Sequence, residues 1–316
     1  MKVENTREPQ PRMTHAVGLH SSRDNLLAQL LPLVTAGLER GEPVAVAVQP
    51  STMEAVYDMF GSLPGLMQLA PPEGSDGGSG QTLAARRARQ LRELTAASGS
   101  ATVVTEHWNR FDGLDGSFWT ELDAAMNVAL SDLPVHITCF FPEMPLHLEV
   151  LAGARRNHPL LLVDGEQRHN PWYRRPRDVL AEVPAPSPVL LGPPDSRMVF
   201  GAWQLNEVRD AVEHALLAAG YGRDRAEDVV LAVNEVTTNA VEHGAGEAQI
   251  SVWAASDGFV FEVQDNGALR DPLPGLRAPH PSEPRGRGIW IARQLCDSLH
   301  VWPDRGGTHV RMRAAP

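Results

Sequence analysis

Apolar and polar positions in the first half of the chain form short blocks that alternate between the period of a strand and the period of a helix. Continuous apolar runs such as 44–48 are typical of strands buried on both faces, and segments with apolar residues three or four positions apart predict helices. The predicted strands are 14–20, 44–48, 101–107, 135–141 and 160–165, and the predicted helices are 26–41, 51–60, 82–97, 117–130 and 146–155. Strands separated by helices imply a parallel sheet with helices on both faces, so we predict an α/β domain.

The second half has a different order of elements and predicts an α+β domain. Two segments that alternate between apolar and polar residues suit antiparallel strands joined by a Ser-Asp-Gly turn. The predicted elements are helices 206–221, 229–246 and 289–299 and strands 248–255, 259–265 and 308–313. A length of 316 residues supports two domains. We divide the chain into a disordered N-terminus (1–12), an α/β domain (13–183), a proline-rich linker (184–196) and an α+β domain (197–316).

The linker, PAPSPVLLGPPDS, has no hydrophobic period. It is interpreted either as a semi-rigid spacer between the domains or as an extended arm that lies along one of them.

Charge and composition narrow the possible partners. A formal net charge of -11 argues against direct binding of nucleic acid, because contacts to phosphates dominate that affinity. No apolar run reaches the ~20 residues of a membrane-spanning helix, and the N-terminus lacks the apolar segment of a secretory signal, so we expect a cytoplasmic protein. Cys139 and Cys296 fall in apolar segments of different domains, which favours reduced thiols over a disulfide.

A polar stripe is predicted along the helix at 229–246. Glu235, Asn239 and His243 are spaced four residues apart, so their side chains share one edge of that helix. A carboxylate and an amide one turn apart suit Mg²⁺, which binds few protein oxygens and takes nucleotide phosphates and waters as its other ligands. Alternatively, Glu235 deprotonates or orients a nucleophile while Asn239 alone binds the metal. A solvated polar face is the simpler interpretation of the stripe taken alone.

Three further motifs follow in order. Asp265-Asn266-Gly267 ends a predicted strand, Arg285-Gly286-Arg287-Gly288 opens a predicted helix, and Thr308 begins the last strand. With the polar stripe, this order resembles the ATP-binding motifs of the GHKL ATPase superfamily over about 203–313. Within that superfamily, AVNEVTTNAVEHG is most similar to the bacterial anti-sigma-factor serine kinases. The resemblance implies a Bergerat-type ATPase sandwich.

The resemblance also implies how ATP and Mg²⁺ are bound. Asp265 accepts a hydrogen bond from the adenine amino group, Thr308 supports that aspartate, and Asn239 binds Mg²⁺. Glu235 acts as the catalytic base or orients the acceptor hydroxyl. The residues expected to bind the cofactor are Asn239, Asp265, Gly267, Arg285, Gly286, Arg287, Gly288 and Thr308. The family has a second glycine where this chain has Leu269, and the proline-rich loop between Asn266 and Arg285 corresponds to the family's ATP lid.

Segments of the first half, including HAVGLHSSRDN, TEHW and ITCFFPE, look like the MEDS sensory domain over about 13–173. Such domains are signal-input modules, which suggests a sensory pocket formed by His15, Glu106, Asn127 and His158. The alternative is structural: these polar side chains cap helices and fix strand ends.

The function that these resemblances imply is an anti-sigma regulatory factor. It would bind ATP and Mg²⁺, sequester a sigma factor and phosphorylate a serine or threonine of an anti-anti-sigma antagonist, with signal input through the first domain and a possible homodimer. The alternative is a non-catalytic ATP-binding module for partner switching. A histidine-kinase output domain is less consistent with the sequence, because the residues around His214 lack the pattern of a phosphoacceptor site.

Overall fold

The computed structural model describes residues 12–70, 79–107, 116–144, 147–244, 246–280, 282 and 286–316. The chain divides into two compact units, of which the first comprises Met1–Pro71 and Arg86–Val179 and the second comprises Pro72–Ala85 and Leu180–Pro316. The predicted disordered N-terminus lies outside the described residues except for Arg12. The sequence patterns do not predict that 72–85 belongs with the second unit.

A parallel-rich sheet forms the centre of the first unit. Its strands are β1 Thr14–His20, β2 Val44–Ala47, β3 Leu66–Gln68, β4 Ala101–Glu106, β5 Val135–Pro142, β6 Leu160–Val163 and β7 Glu166–His169. Within the described residues these seven strands are ordered β3-β2-β4-β5-β1-β6-β7. Every neighbouring pair is parallel except β6 and β7. The prediction of a parallel α/β sheet is therefore confirmed in its main feature.

Helices connect these strands. They are α1 Arg23–Glu39, α2 Pro50–Phe60, α3 Gly80–Ser98, α4 Ser117–Ala129, α5 Leu148–Asn157 and α6 Pro176–Glu182. Ser22 caps α1, because its Oγ accepts a hydrogen bond from N of Asn25 at 3.2 Å. Gly41 follows the helix with a φ of 71°, the left-handed conformation that commonly ends helices. No helix in the described part of the chain combines the length and the apolar character needed to cross a bilayer.

The antiparallel edge strand β7 is missing from the sequence prediction. Asp164 and Gly165 have φ values of 53° and 79°, so they form the two-residue turn that joins β6 to β7. An Asp-Gly pair is a strong hairpin signal, but every residue of β7 is exposed, so no apolar alternation marks the strand. In the sequence, the hairpin is therefore indicated by the Asp164-Gly165 turn and not by the residues of β7.

The second unit is a sandwich of helices on an antiparallel sheet. Its elements are β8 Ser196–Gly201, α7 Leu205–Ala218, α8 Arg223–His243, β9 Glu247–Ala255, β10 Gly258–Asp265, α9 Gly288–Leu295, β11 Ser298–Asp304 and β12 Gly307–Ala314. The described strands are ordered β11-β12-β10-β9-β8, and all neighbours are antiparallel. Val212 of α7, Val236 of α8 and Ala292 of α9 share one core with Phe261 and Met312 of the sheet. This arrangement agrees with the predicted α+β sandwich.

The predicted helix 289–299 is too long. The helix α9 ends at Leu295, Cys296 is extended, and β11 begins at Ser298. Between them, Asp297 accepts hydrogen bonds from Nη2 of Arg225 at 2.8 Å and from N of Ala315 at 2.7 Å. Contacts between residues far apart in sequence therefore stop the helix, and the apolar residues that follow belong to a strand.

The proline-rich segment 184–196 contains no helix, and only its last residue, Ser196, belongs to a strand. Its carbonyl groups accept hydrogen bonds from the second unit: O of Val189 from Nη1 of Arg311 at 2.7 Å, and O of Gly192 from Nε1 of Trp253 at 2.8 Å. These are the contacts of an extended arm along the second unit, which is the second of the two interpretations of this segment.

A charged cluster stabilises β12 beside the end of β11. Nδ1 of His309 lies 3.1 Å from Oε1 of Glu262, and its Nε2 lies 3.0 Å from Oδ2 of Asp304. The imidazole also stacks on Trp302, with ring centroids 5.0 Å apart. Burial lowers the pKa of His309, but the two carboxylates raise it by more, so the net direction is upward.

Replacing His309 by glutamine should reduce the dependence of the second unit's stability on pH. The stabilisation by protonated His309 is fully present below the ordinary pKa of about 6.5 and is lost as pH rises through the raised pKa. We expect amide-exchange protection of β12 in the wild type to fall as pH rises above about 6.5. The fall should be smaller in His309→Gln, and equal falls in the two proteins would contradict the prediction.

Candidate functional site

The helix α8 places a polar edge beside the core of the second unit. Val229, Val233 and Val236 are buried in the core, whereas Glu235 and Asn239 are only partly buried. This division follows the helical period predicted from the sequence. Leu231 does not join the apolar side and is 44% exposed.

The two polar side chains of α8 lie directly against the first residue of α9. A Cβ built on Gly288 would lie 2.5 Å from Oε2 of Glu235 and 3.1 Å from Nδ2 of Asn239. The absence of a side chain at Gly288 therefore leaves room for the ends of the Glu235 and Asn239 side chains against the start of α9. The first N–H groups of α9 have no acceptor within the helix, and they lie beside the Glu235 carboxylate and the Asn239 amide.

Asp265 ends β10 and lies opposite Thr308 of β12. Its Oδ1 accepts a hydrogen bond from N of Gly267 at 2.6 Å, and the Thr308 hydroxyl donates to O of Gly267 at 2.9 Å. A Cβ on Gly267 would lie 2.7 Å from that same Oδ1, so the turn packs closely around the carboxylate. Burial raises the pKa of Asp265 above its ordinary value, and the hydrogen bond from Gly267 opposes that rise.

Thr308 was expected to support Asp265. In the structure it does so only indirectly, through Gly267. Its hydroxyl binds the carbonyl of Gly267 and not the carboxylate of Asp265. Thr308 thus stabilises the turn at Gly267, and the N–H group of Gly267 in turn binds the Asp265 carboxylate.

A cavity of about 510 Å³ joins the end of β10 to the start of α9. Its volume lies in the range of small-molecule and cofactor sites. Six of the predicted cofactor-binding residues line it: Asn239, Asp265, Gly267, Gly286, Gly288 and Thr308. Val236, Ala240, Leu269, Ile289 and Val310 provide apolar walls. The cavity therefore has an apolar body with a carboxylate at one end and a helix N-terminus at the other.

Two of the predicted residues lie outside the cavity wall, and a third is not among the described residues. Glu235 contacts Gly288 but is not part of the cavity wall. Arg287 is also outside the wall, and its Nη2 lies 3.3 Å from O of His280. Arg285 lies outside the described residues.

Arg293 is a residue whose role the sequence does not reveal. The local cluster of arginines suggests phosphate binding, but Arg293 is 3% exposed and does not line the cavity. Its Nε donates to O of Pro274 at 2.9 Å, its Nη1 to O of Leu299 at 2.8 Å, and its Nη2 to Oε1 of Gln81 at 2.7 Å. Arg293 therefore fastens the segment after Leu269 to the body of the second unit, where Leu273 and Leu276 are also buried.

The donor groups fit Mg²⁺ and a nucleotide. A carboxylate and an amide flank the space that a Cβ of Gly288 would fill, the carboxylate through Oε2 and the amide through its nitrogen Nδ2. Each side chain also carries an oxygen of the kind Mg²⁺ prefers, and rotation of the Asn239 amide would present its Oδ1. The start of α9 opens on the same space and can receive phosphate oxygens. Asn239 would hold the metal and Asp265 the base.

In the first unit, three of the four predicted pocket residues come together. Nδ1 of His15 lies 3.0 Å from Oδ1 of Asn127, and the rings of His15 and His158 are 4.1 Å apart. Glu106 does not join them: its carboxylate accepts hydrogen bonds from N and Nε2 of Gln49, at 3.0 and 2.8 Å. For Glu106 the observed contacts are those of the structural alternative, because Gln49 is the residue that precedes α2.

Two further buried residues complete this cluster. Asp123 of α4 and Cys139 of β5 are 4% and 5% exposed, and Nε2 of His15 lies 3.3 Å from Sγ of Cys139. Burial lowers the pKa of His15 to about 4, although the hydrogen bond with Asn127 opposes that fall. Burial also raises the pKa of Asp123 well above its ordinary value. Asp123 is not among the residues predicted from the sequence, and the signal that could have identified it is an acid between apolar residues of the helix 117–130.

Comparison with known proteins gives the class of the second unit. Residues 202–314 match the family described as the histidine kinase-like ATPase domain. This agrees with the ATPase superfamily that the motifs of the sequence resemble.

At the level of a particular protein, the chain is similar to the serine-protein kinase RsbW of Bacillus licheniformis. The two are 29% identical over 104 residues, which cover 28% of this chain and 65% of the relative. The chain thus spans less than two thirds of the length of that relative. The resemblance of 13–173 to a MEDS sensory domain stays a prediction.

Replacing Asp265 by asparagine should weaken adenine-nucleotide binding about ten- to a hundredfold, because a hydrogen bond to a charged group contributes about 1.5–3 kcal/mol. The NH₂ group of the asparagine would also face the adenine amino group, and two hydrogen-bond donors repel each other. Calorimetric titration of the full chain with ADP and Mg²⁺ measures the effect. Asp210→Asn, the same change at an exposed site on α7, should bind like the wild type. Equal affinity of Asp265→Asn and the control would remove Asp265 from the site.

Replacing Arg293 by alanine should loosen the segment 268–280. The carbonyl group of Pro274 would lose its donor, and that of Leu299 would keep the longer hydrogen bond from Oγ1 of Thr82 at 3.4 Å. An unpaired buried polar group costs about 1–3 kcal/mol. We expect faster amide exchange in 268–280 and no comparable change in Arg209→Ala, an exposed arginine on α7. Unchanged exchange in Arg293→Ala would show that other contacts hold this segment.

Proposed function

We propose that the second unit binds ATP with Mg²⁺ and transfers the terminal phosphoryl group to a serine or threonine of a partner protein. The observation that carries the proposal is the joining of Asp265 and Gly288 by one cavity, with Glu235 and Asn239 lying against that glycine. In this arrangement a residue that can bind adenine, a residue that can bind the metal and a helix N-terminus that can bind phosphate lie next to one another.

The base end of the cavity suits adenine. The Asp265 carboxylate accepts a hydrogen bond from an exocyclic amine, and N of Gly267 fixes its orientation. Val236, Ala240 and Val310 offer apolar contact to a flat ring. The polar group therefore supplies specificity, and the apolar wall supplies affinity.

The phosphate end suits a triphosphate with a divalent cation. Mg²⁺ neutralises charge on the phosphates during phosphoryl transfer. Asn239 holds the cation, and the N–H groups at the start of α9 bind phosphate oxygens. Gly286 and Gly288 leave room for the phosphates to approach the backbone.

Glu235 is proposed as the catalytic base or as the residue that orients the acceptor hydroxyl. Its Oε2 lies beside Gly288, next to the expected position of the terminal phosphate. A carboxylate at this place can accept the proton of a serine hydroxyl as that oxygen attacks phosphorus. The similarity to a serine-protein kinase supports a serine acceptor.

The regulatory part of the proposal rests on the resemblance to anti-sigma-factor kinases. In that role the protein sequesters a sigma factor, phosphorylates an anti-anti-sigma antagonist and takes a signal through its first unit, with a homodimer as the expected assembly. The net charge of -11 favours protein partners over nucleic acid.

A non-catalytic ATP-binding module is the second candidate. The observation that favours it is the position of Glu235 outside the cavity wall. If Glu235 only packs against α9, ATP acts as a structural ligand that sets the affinity for a partner.

Replacing Glu235 by glutamine should separate the two candidates. Catalytic transfer predicts a fall of about a hundredfold or more in phosphorylation, because a positioned base contributes about 10²–10⁴-fold. Binding of ADP and Mg²⁺ should stay within about threefold, since the amide keeps the size of the side chain. The acceptor is a protein that co-purifies with the full chain, and transfer is measured with γ-labelled ATP and phosphosite mapping.

Glu227→Gln is the matched control, because it makes the same change at an exposed site on the same helix. It should bind and transfer like the wild type. Nucleotide binding without transfer in the wild type would support the non-catalytic module. Equal transfer by the two glutamine variants would remove Glu235 from catalysis.

A further inference from the structure

Four chemically reactive side chains converge inside the first unit. They are His15 on β1, Asp123 on α4, Cys139 on β5 and His158, which directly follows α5. One potential ligand atom from each lies within 4.8 Å of all the others. All four residues are at least nine-tenths buried. Two imidazoles, a thiol and a carboxylate are the side chains that bind zinc in proteins.

The hydrogen bonds around His15 fix its tautomer. Nδ2 of Asn127 donates to O of Asn157 at 2.6 Å, so Oδ1 of Asn127 is the acceptor for Nδ1 of His15. Nδ1 of His15 therefore carries the proton, and Nε2 presents a lone pair. That lone pair faces Sγ of Cys139 at 3.3 Å.

His158 is oriented in the same way. Its Nδ1 lies 2.7 Å from O of Ala154, and a carbonyl can only accept, so Nδ1 is the donor. Its Nε2 presents a lone pair that has no hydrogen-bond partner among the described residues. Metal-binding histidines typically have this arrangement, in which one ring nitrogen donates to an oxygen and the other binds the ion.

Asp123 supplies the second unpaired atom. Its Oδ2 is buried and has no hydrogen-bond partner in the described part of the chain. Nδ1 of His158 lies 3.9 Å from this oxygen, which is too long for a hydrogen bond. A buried carboxylate oxygen and a buried imidazole lone pair in one cluster both need a positive partner.

We propose that His15, Asp123, Cys139 and His158 form a closed, structural Zn²⁺ site. Nε2 of both histidines, Sγ of Cys139 and Oδ2 of Asp123 are the four ligands. When Zn²⁺ binds, the Cys139 thiol and the Asp123 carboxyl group both lose their protons to solvent, so the thiolate and the carboxylate together balance the charge of the ion. Ligand atoms of a tetrahedral zinc site lie roughly 3.3–3.7 Å apart, so the cluster contracts by about 1 Å on binding.

The choice of Zn²⁺ follows from the donors. Mg²⁺ and Ca²⁺ select oxygen ligands, whereas a thiolate with two imidazoles suits a borderline ion. Four protein ligands leave no open position, which is the arrangement of structural rather than catalytic zinc sites. Asn127 and O of Ala154 already serve as the outer contacts that orient the two rings.

Metal analysis of the full chain tests the site. After dialysis against metal-free buffer, one equivalent of added Zn²⁺ should be retained per chain, as measured by mass spectrometry of the element. Replacement with Co²⁺ should give the absorption of a tetrahedral site with a thiolate-to-cobalt charge-transfer band. Absence of both signals in the wild type would overturn the proposal, whatever the variants do.

Cys139→Ser should lose the charge-transfer band and bind Zn²⁺ at least tenfold more weakly. Cys296→Ser is the matched control, because Cys296 is the other buried cysteine and lies in the second unit. It should keep one Zn²⁺ and the band. Equal metal content in the two serine variants would exclude Cys139 as a ligand.

Asp123→Asn covers the case in which Cys139→Ser does not fold. This variant should keep the charge-transfer band, since the thiolate remains, but should bind Zn²⁺ at least tenfold more weakly than the wild type. Circular dichroism of each variant establishes that it is folded. Wild-type affinity in folded Asp123→Asn would exclude the carboxylate as a ligand and overturn the four-ligand site.

Discussion

The close approach of α8 and α9 at Gly288 is the constraint on which the second unit depends. Three features must coincide at this point: the polar edge of α8, the free N–H groups of α9 and the mouth of the cavity. A Cβ at Gly288 would lie 2.5 Å from the end of the Glu235 side chain, so a larger residue would push that carboxylate away from the start of α9. Ala292 on α9 and Val236 on α8 are buried in the shared core, and their packing fixes the approach from the other side.

The two units treat buried polar groups differently. In the second unit, Asp265 is held by a backbone N–H of its own turn, and the cavity leaves its carboxylate accessible. In the first unit, Asp123 and His158 have buried atoms with no hydrogen-bond partner among the described residues. Since proteins rarely leave such atoms unpaired, the first arrangement suits an exchangeable ligand and the second suits a permanently held ion.

The sequence predicted those features that depend on local periodicity. Examples are the apolar positions of α8, the continuous apolar run of β2 and the Ser-Asp-Gly turn before β10. Each of these patterns is determined by residues that are close together in the sequence. The order of motifs also brought Asn239, Asp265, Gly267 and Gly288 to one cavity, because each lies at the end or on the edge of a regular element. A glycine that allows a close contact between two parts of the backbone can be identified from the sequence when it lies within a known motif.

What the sequence could not show depends on partners that are distant along the chain. The end of α9 is set by Asp297, which binds Arg225 seventy-two positions earlier. Arg293 belongs to an apparent cluster of basic residues, yet its three donors bind main-chain and amide oxygens inside the fold. The buried cluster of His15, Asp123, Cys139 and His158 has no short spacing between its members, so only the packing of two strands and two helices brings them together.

The stacking of His309 on Trp302 gives the second unit an intrinsic optical reporter. The indole lies between that imidazole and the guanidinium of Arg311, 5.3 Å from its ring centre. A protonated imidazole in contact with an indole quenches its emission, so the brightness of Trp302 depends on the charge of its neighbour. The chain has six other tryptophans, so this signal is isolated in a variant that lacks them. Because His309 directly follows Thr308 of the cavity wall, the emission of Trp302 then reports changes at the end of the cavity formed by Asp265.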